Sequence, residues 1–247
     1  MTFSVMRCIM YQNLVVPKDI SKNSLADFAY NIIRENIMEF RLVPGNVINE
    51  AELADFLKVS RTPVHEAVAR LRDDRLISVI PRKESKVTPI IVPYVNEGVF
   101  MRCCIEPEII KIASKNFGTE YKIALSKNLE VQKQILEEGT ELYRFYPVDD
   151  EFHRILYNGT NKMETYSMVQ KMVTHLDRVR YLVRYEGSFN IEAISYEDHV
   201  DILNMILSNT VIGYDLHAFM ERHIVRFQTN IKLLRAKYPD YFIDIQQ

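Results

Sequence analysis

Near the N-terminus apolar side chains recur at helical spacing in three short segments, give way to two β-rich runs, and return to helical spacing for most of the remaining chain. Leu25, Phe28, Ala29, Ile32, Asn36, Ile37 and Phe40 mark a first helix over 24–40, which the Pro44-Gly45 turn ends. Asn49 suits the N-cap of a second helix over 50–57, with Glu52 at the capping-box position. Only Lys58-Val59 then separates it from Ser60, a third N-cap candidate. Beyond Ser60, Pro63 is tolerated in the first turn while Val64, Ala67, Val68 and Leu71 recur at i, i+3, i+4 and i+7.

The two β-rich runs, Leu76 to Ile80 and Val87 to Ile90, flank the polar tip Arg82-Lys83-Glu84-Ser85-Lys86 and predict a hairpin. Three helices, two of them joined by a short turn, followed by a hairpin with a basic tip make a winged helix-turn-helix. Pro89-Ile90-Ile91-Val92-Pro93 is expected to be an extended linker, because prolines remove donors and push their predecessors away from helix. From Val95 to Tyr238 the pattern is nearly continuous helix, broken near Gly118, Gly139, Gly159, 186–190 and Asn209-Thr210. The expected fold is therefore mainly α: a winged helix over 21–89, a linker over 90–94 and an all-α bundle of about six helices over 95–238. Residues 1–20 form an extension of unassigned role, and 239–247 a tail.

With 47% hydrophobic and 26% charged residues, the 247-residue chain has the composition of a soluble globular protein. No apolar run approaches a membrane span, the first residues lack the apolar core of a signal peptide, and three cysteines form neither a disulfide framework nor a zinc pattern. A cytoplasmic protein without membrane attachment is expected. Cys103 and Cys104 are read as small buried hydrophobes.

The overall charge of −2 excludes a uniformly basic surface, yet residues 58–86 carry a net +4. On the third helix Arg61, Thr62, His65 and Arg72 gather away from the apolar stripe. That face is either an ordinary solvated one or a face that enters a DNA groove. In the bundle Asp149 and His153 share a helix face at i and i+4, and His199 and His223 lie on later helices. One carboxylate and three imidazoles, if they converge, suit zinc, nickel or manganese; if they do not, they are ordinary scattered side chains. His175 and His217 receive only the ordinary reading.

Arg41-x-x-Pro44-Gly45, Glu50-x-x-Leu53-Ala54 and Val59-Ser60-Arg61-Thr62-Pro63-Val64-x-Glu66-Ala67-Val68-x-Arg70-Leu71 resemble, in order, the winged helix of GntR-family bacterial transcription regulators. The sequence departs from that pattern at His65, where arginine is usual, and at Arg75 and Glu84, where glycines are usual. Glu84 makes the wing tip less cationic and less free to adopt φ > 0. Further on, Arg102-x-x-x-Glu106, Asp149-x-x-Phe152-His153 with Asn161, His199, and Met220-x-x-His223 resemble the FCD effector domain of one branch of that family. The resemblance implies that Asp149, His153, His199 and His223 hold a divalent metal and that Arg102 faces the effector.

The function expected is thus a ligand-responsive transcription regulator, with a homodimer reading a palindromic operator in double-stranded DNA. Arg61 and His65 are expected at base edges, with Thr62, Arg72, Arg82, Lys83 and Lys86 mainly on phosphates. A metal carrying one carboxylate and three neutral imidazoles, beside Arg102, favours an anionic effector: a hydroxy acid, sugar acid or dicarboxylate. The alternatives are a regulator that senses the metal alone and a metal-dependent enzyme acting on an organic acid. Against the enzyme stand the winged helix and the lack of His-Glu-x-x-His, a phosphate loop or a nucleophile elbow.

Overall fold

The computed structural model describes residues 11, 13–16, 24–79, 84–139, 144–186, 191–211, 215–226 and 230–244. The chain forms two compact units, one of residues 1–92 with 235–247, the other of residues 93–234.

In the first unit α1 (Leu25–Met38), α2 (Glu50–Leu57) and α3 (Arg61–Asp73) bury Ile32, Ile33, Ile37, Leu53, Val64, Ala67 and Leu71 against one another. Ser24 caps α1 by accepting from Asp27 N at 2.9 Å. Asn49 Oδ1 accepts from Ala51 N and Glu52 N, and Glu52 Oε1 accepts from the Asn49 side-chain amide at 2.7 Å, a variant of the expected capping box. Ser60 holds the N-cap position of α3 but makes no side-chain cap bond. Pro63 explains this: it occupies the third helical position and has no N–H to offer.

The hairpin pairs β2 (Ile77–Val79) antiparallel with β3 (Ser85–Val87), and β1 (Val47–Ile48) adds an unexpected third strand, so the order is β1-β3-β2. The residues read as linker are ordered: β4 (Ile90–Ile91) pairs in parallel with β5 (Phe242–Ile243), and helix begins at Val92. The tail thereby joins the winged-helix unit, where Tyr241 stacks on Phe40 at 5.8 Å and Arg235 pairs with Asp244. Tyr11 and Val15 of the N-terminal extension join it as well. The buried Tyr11 hydroxyl accepts from Asn49 N at 2.9 Å, and the side chain of fully buried Asn36 bonds both backbone groups of Val15.

The second unit contains α4 (Val92–Lys115, from its second residue onward), α5 (Thr119–Glu138), α6 (Phe145–Gly159), α7 (Met163–Met172), α8 (Thr174–Glu186), α9 (Ile191–Leu207), α10 (Leu216–Val225) and the start of α11 (Ile231–Lys237). Gly139 ends α5 in the left-handed conformation, and Asn161 adopts it two residues past α6, both common helix stops. The break between α7 and α8 at Val173 has no glycine or proline to announce it. Helices α6 and α9 both pack on α5.

Candidate metal centre and DNA-reading face

The sequence makes α3 amphipathic, and its outer face carries Arg61, Thr62, His65 and Arg72, all exposed. Arg61 extends from the first turn, whereas His65 is held from the side, its Nδ1 3.0 Å from Oε2 of Glu50 on α2. Arg72 leans on Asp73 at 3.2 Å and Lys86 on Glu84 at 2.6 Å. Arg82 and Lys83 lie outside the described residues. Arg70 turns inward to Asp27 at 2.6 Å and over the Tyr30 ring. At Arg75, where the related pattern has glycine, the backbone is left-handed with φ of 62°.

In the bundle His153 on α6, His199 on α9 and His223 on α10 meet, with one ligand nitrogen from each lying within 4.8 Å of the others. All three are buried. Two Nδ1 atoms meet hydrogen-bond partners, Gln132 Oε1 at 2.9 Å from His199 and Asp198 Oδ2 at 2.9 Å from His223, while that of His153 lies 3.3 Å from Glu106 Oε2 without a hydrogen bond. For His199 and His223 such partners fix the Nδ1–H tautomer and leave the Nε2 lone pairs for the interior, as is common around metal-ligating histidines, whereas His153 Nε2 faces an Arg102 donor at 3.1 Å. The Nε2 atoms of His153 and His223 lie 3.5 Å apart, and that of His199 has no hydrogen-bond partner among the described residues. Burial lowers the pKa of His199 well below the usual value and that of His223 as well, which holds both imidazoles neutral.

Asp149, one helical turn before His153, places Oδ1 3.6 Å from His199 Nε2 while Oδ2 accepts from Arg180. Burial pushes its pKa up, but the Arg180 guanidinium and then the neighbouring imidazoles outweigh this and hold the carboxyl well below its usual range. Three imidazoles and one ionised carboxylate, with an unsatisfied nitrogen at their centre, fit a divalent ion of the borderline kind. Of the four residues expected as ligands, the three histidines form the cluster, and Asp149 adjoins it through His199.

Arg102 reaches the same cluster from α4. Gly98, one turn earlier, allows the approach: a Cβ there would lie 3.2 Å from Met172 O and Val173 Cα. The Arg102 fork is already engaged. Nε and a terminal nitrogen donate to the two oxygens of Glu106 at 2.6 and 3.3 Å, and the same terminal nitrogen lies 3.1 Å from His153 Nε2. Burial raises the Glu106 pKa, but Arg102 and His153 outweigh that and drive it far below normal. Cys103 beside it is half-buried and Cys104 exposed, so the reading of both as buried packing is corrected. They fall outside the helix face that carries Arg102, Glu106 and Ile109 inward. His175 is buried against Tyr94, and His217 is exposed; neither joins the cluster.

The sequence reading missed Arg180. This buried guanidinium on α8 contacts Asp149 and also donates to Asp150 and Asp177, each at 3.0 Å. One cation cannot compensate three carboxylates. Burial and Asp150 push Asp177 up to about 6 despite the bond. The available signal was Asp177-x-x-Arg180, an i,i+3 acid–base pair on α8. A cavity of about 10 Å³, room for about one water, is lined among others by Arg102, His153, Tyr157, Asp177 and Arg180.

Comparison with known proteins bears on both regions. Residues 25–87 match the family described as bacterial regulatory proteins, gntR family, and residues 97–226 match the FCD domain. The chain is 27% identical over 213 residues to the HTH-type transcriptional repressor RspR of Escherichia coli K12, covering 86% of this chain and 91% of that protein. It is 22% identical over 208 residues to the Nta operon transcriptional regulator of Aminobacter aminovorans, covering 83% and 94%. Among solved structures, E. coli McbR/YncC shares the fold with a TM-score of 0.68 at 21% identity, over 87% of this chain and 99% of that one.

Proposed function

On the premise that the chain belongs to the GntR family of bacterial regulatory proteins, with an FCD domain, and is a DNA-binding transcription regulator rather than an enzyme, we propose that a divalent metal and a small organic acid in the bundle set its affinity for DNA. His153, His199, His223 and Asp149 hold the ion. It supplies a positive centre for a carboxylate, and Arg102 stands beside it. Arg61 and His65 read base edges, Thr62, Arg72, Arg82, Lys83 and Lys86 bind mainly phosphate, and a homodimer spans a palindromic site.

The observation that carries the metal reading is the convergence of three buried imidazoles, with one nitrogen of each within 4.8 Å of the others and the Nδ1 atoms of His199 and His223 held by acceptors. The small cavity supports the switch. An acid larger than water must spread the helices that line it, so it binds one arrangement of the bundle better than another, which is the condition for shifting an equilibrium. Elemental analysis of protein purified without chelator tests the site: about one ion per chain is expected in wild type and little in His199→Ala. Equal occupancy in both would remove the site. A regulator that senses metal alone would change DNA affinity with the ion and respond to no acid.

A further inference from the structure

The two arginines at the cavity differ in how well they are matched. Arg102 meets one carboxylate, Glu106, through two hydrogen bonds. Arg180 meets three, and one of these, Asp149, also turns toward the imidazoles. Beyond Asp149, the Asp150 and Asp177 carboxylates share a single guanidinium nitrogen, leaving that end of the cavity with an excess of negative charge among the described residues.

Tyr157 lines the same cavity on the side of Glu106 and Arg102, is 1% exposed, and its hydroxyl has no hydrogen-bond partner among the described residues. A buried hydroxyl left unsatisfied is unfavourable, and this one can both donate and accept. A polyhydroxylated ligand has one hydroxyl to satisfy it and another to donate to the Asp150 or Asp177 carboxylate at the other end. A ligand carboxylate can only accept, and at the Asp150–Asp177 end it meets two like charges. An ammonium is disfavoured too, because the Arg180 nitrogen already sits between the two acids.

We infer that the cavity is polarised, with its imidazole end suited to a carboxylate and its Asp150–Asp177 end to neutral hydroxyls, so that it selects a polyhydroxylated monocarboxylate over a dicarboxylate. This rests on the reading of the bundle as an organic-acid site, and it narrows that reading to one class.

Matched sugar acids separate the two statements. Full-length protein loaded with zinc is titrated calorimetrically with gluconate and glucarate, and with galactonate and galactarate, each pair differing only in an alcohol or a carboxylate at C6. The better-bound monocarboxylate should bind at least tenfold tighter than its dicarboxylate partner. In Asp177→Asn, which removes one charge with little change of shape, that ratio should shrink at least threefold at unchanged zinc content. A dicarboxylate that binds wild type as tightly as its partner overturns the inference and leaves the organic-acid reading standing. No binding by any of the four to zinc-loaded protein overturns both.

Discussion

Arg61 and Arg180 are the same residue type put to opposite uses. Arg61 projects from the first turn of a helix into solvent, whereas Arg180 is 3% exposed and bonded to three carboxylates. The winged-helix face keeps cations exposed for a polyanion that arrives from outside. The bundle closes its cations with its own acids. Any ligand there would have to exchange partners rather than find a vacant charge, which suits the proposed switch.

Removing Arg180 should break the buried side of this comparison most severely. Arg180→Met strands three carboxylates, and losing one partner of a buried ion pair typically costs ~3–5 kcal/mol. The thermal unfolding midpoint should fall by many degrees, while an unchanged midpoint would show that the acids are otherwise compensated. Acid should act on the same region. His199 and His223 have folded pKa values below the usual 6.5, so the native state binds fewer protons than the unfolded state just below that pH. Their contribution is complete above about 6.5 and is lost as pH falls below it. Asp177, raised from 3.8 to about 6, works in the opposite sense between those values and softens the loss. Denaturant titrations from pH 8 to pH 5 check the sign, and a bundle that gains stability over that range would contradict it.

The exposed side is tested on DNA. Arg61→Ala should weaken binding to a selected operator by ~1–3 kcal/mol at one fixed salt concentration and relax sequence preference, as loss of a base contact does. Lys86→Ala should instead weaken all sequences alike. The smallest effect concerns the backbone. Arg75 sits at φ of 62°, a conformation that disfavours side chains with a Cβ by roughly 1–2 kcal/mol. Arg75→Gly should therefore raise stability by about 1 kcal/mol or slightly less, after the entropy glycine loses on folding. A destabilised Arg75→Gly would mean that the arginine side chain contributes more than the strain removes.

Much of this was legible in the sequence because it depends on local spacing. The apolar stripe of α3, the Asn49–Glu52 cap and the Asp149–His153 pair all follow from helical geometry. What escaped depends on contacts distant in sequence. The tail strand Phe242–Ile243 looks like a terminus until Ile90 and Ile91 pair with it. Arg180 lies 31 positions from Asp149, and no periodicity links those two, although Asp177 at i−3 could have been paired with it. Gln132 and Asp198, which orient two imidazoles, look like ordinary polar residues on helices. Ser60 holds the third N-cap as expected but without a side-chain bond, for a local reason that was visible, since Pro63 removes the N–H at the third helical position.

The central claim is that the bundle site controls the winged helix. The direct measurement is fluorescence anisotropy of a genomic fragment retained by the purified protein, titrated with wild type and His199→Ala, each with zinc, with and without the best-bound sugar acid. Allosteric coupling of ~2–3 kcal/mol predicts that the acid changes wild-type affinity roughly 30–150-fold. It should leave His199→Ala unchanged. An equal response in both proteins, or none in zinc-loaded wild type saturated with an acid that binds it, would contradict the account.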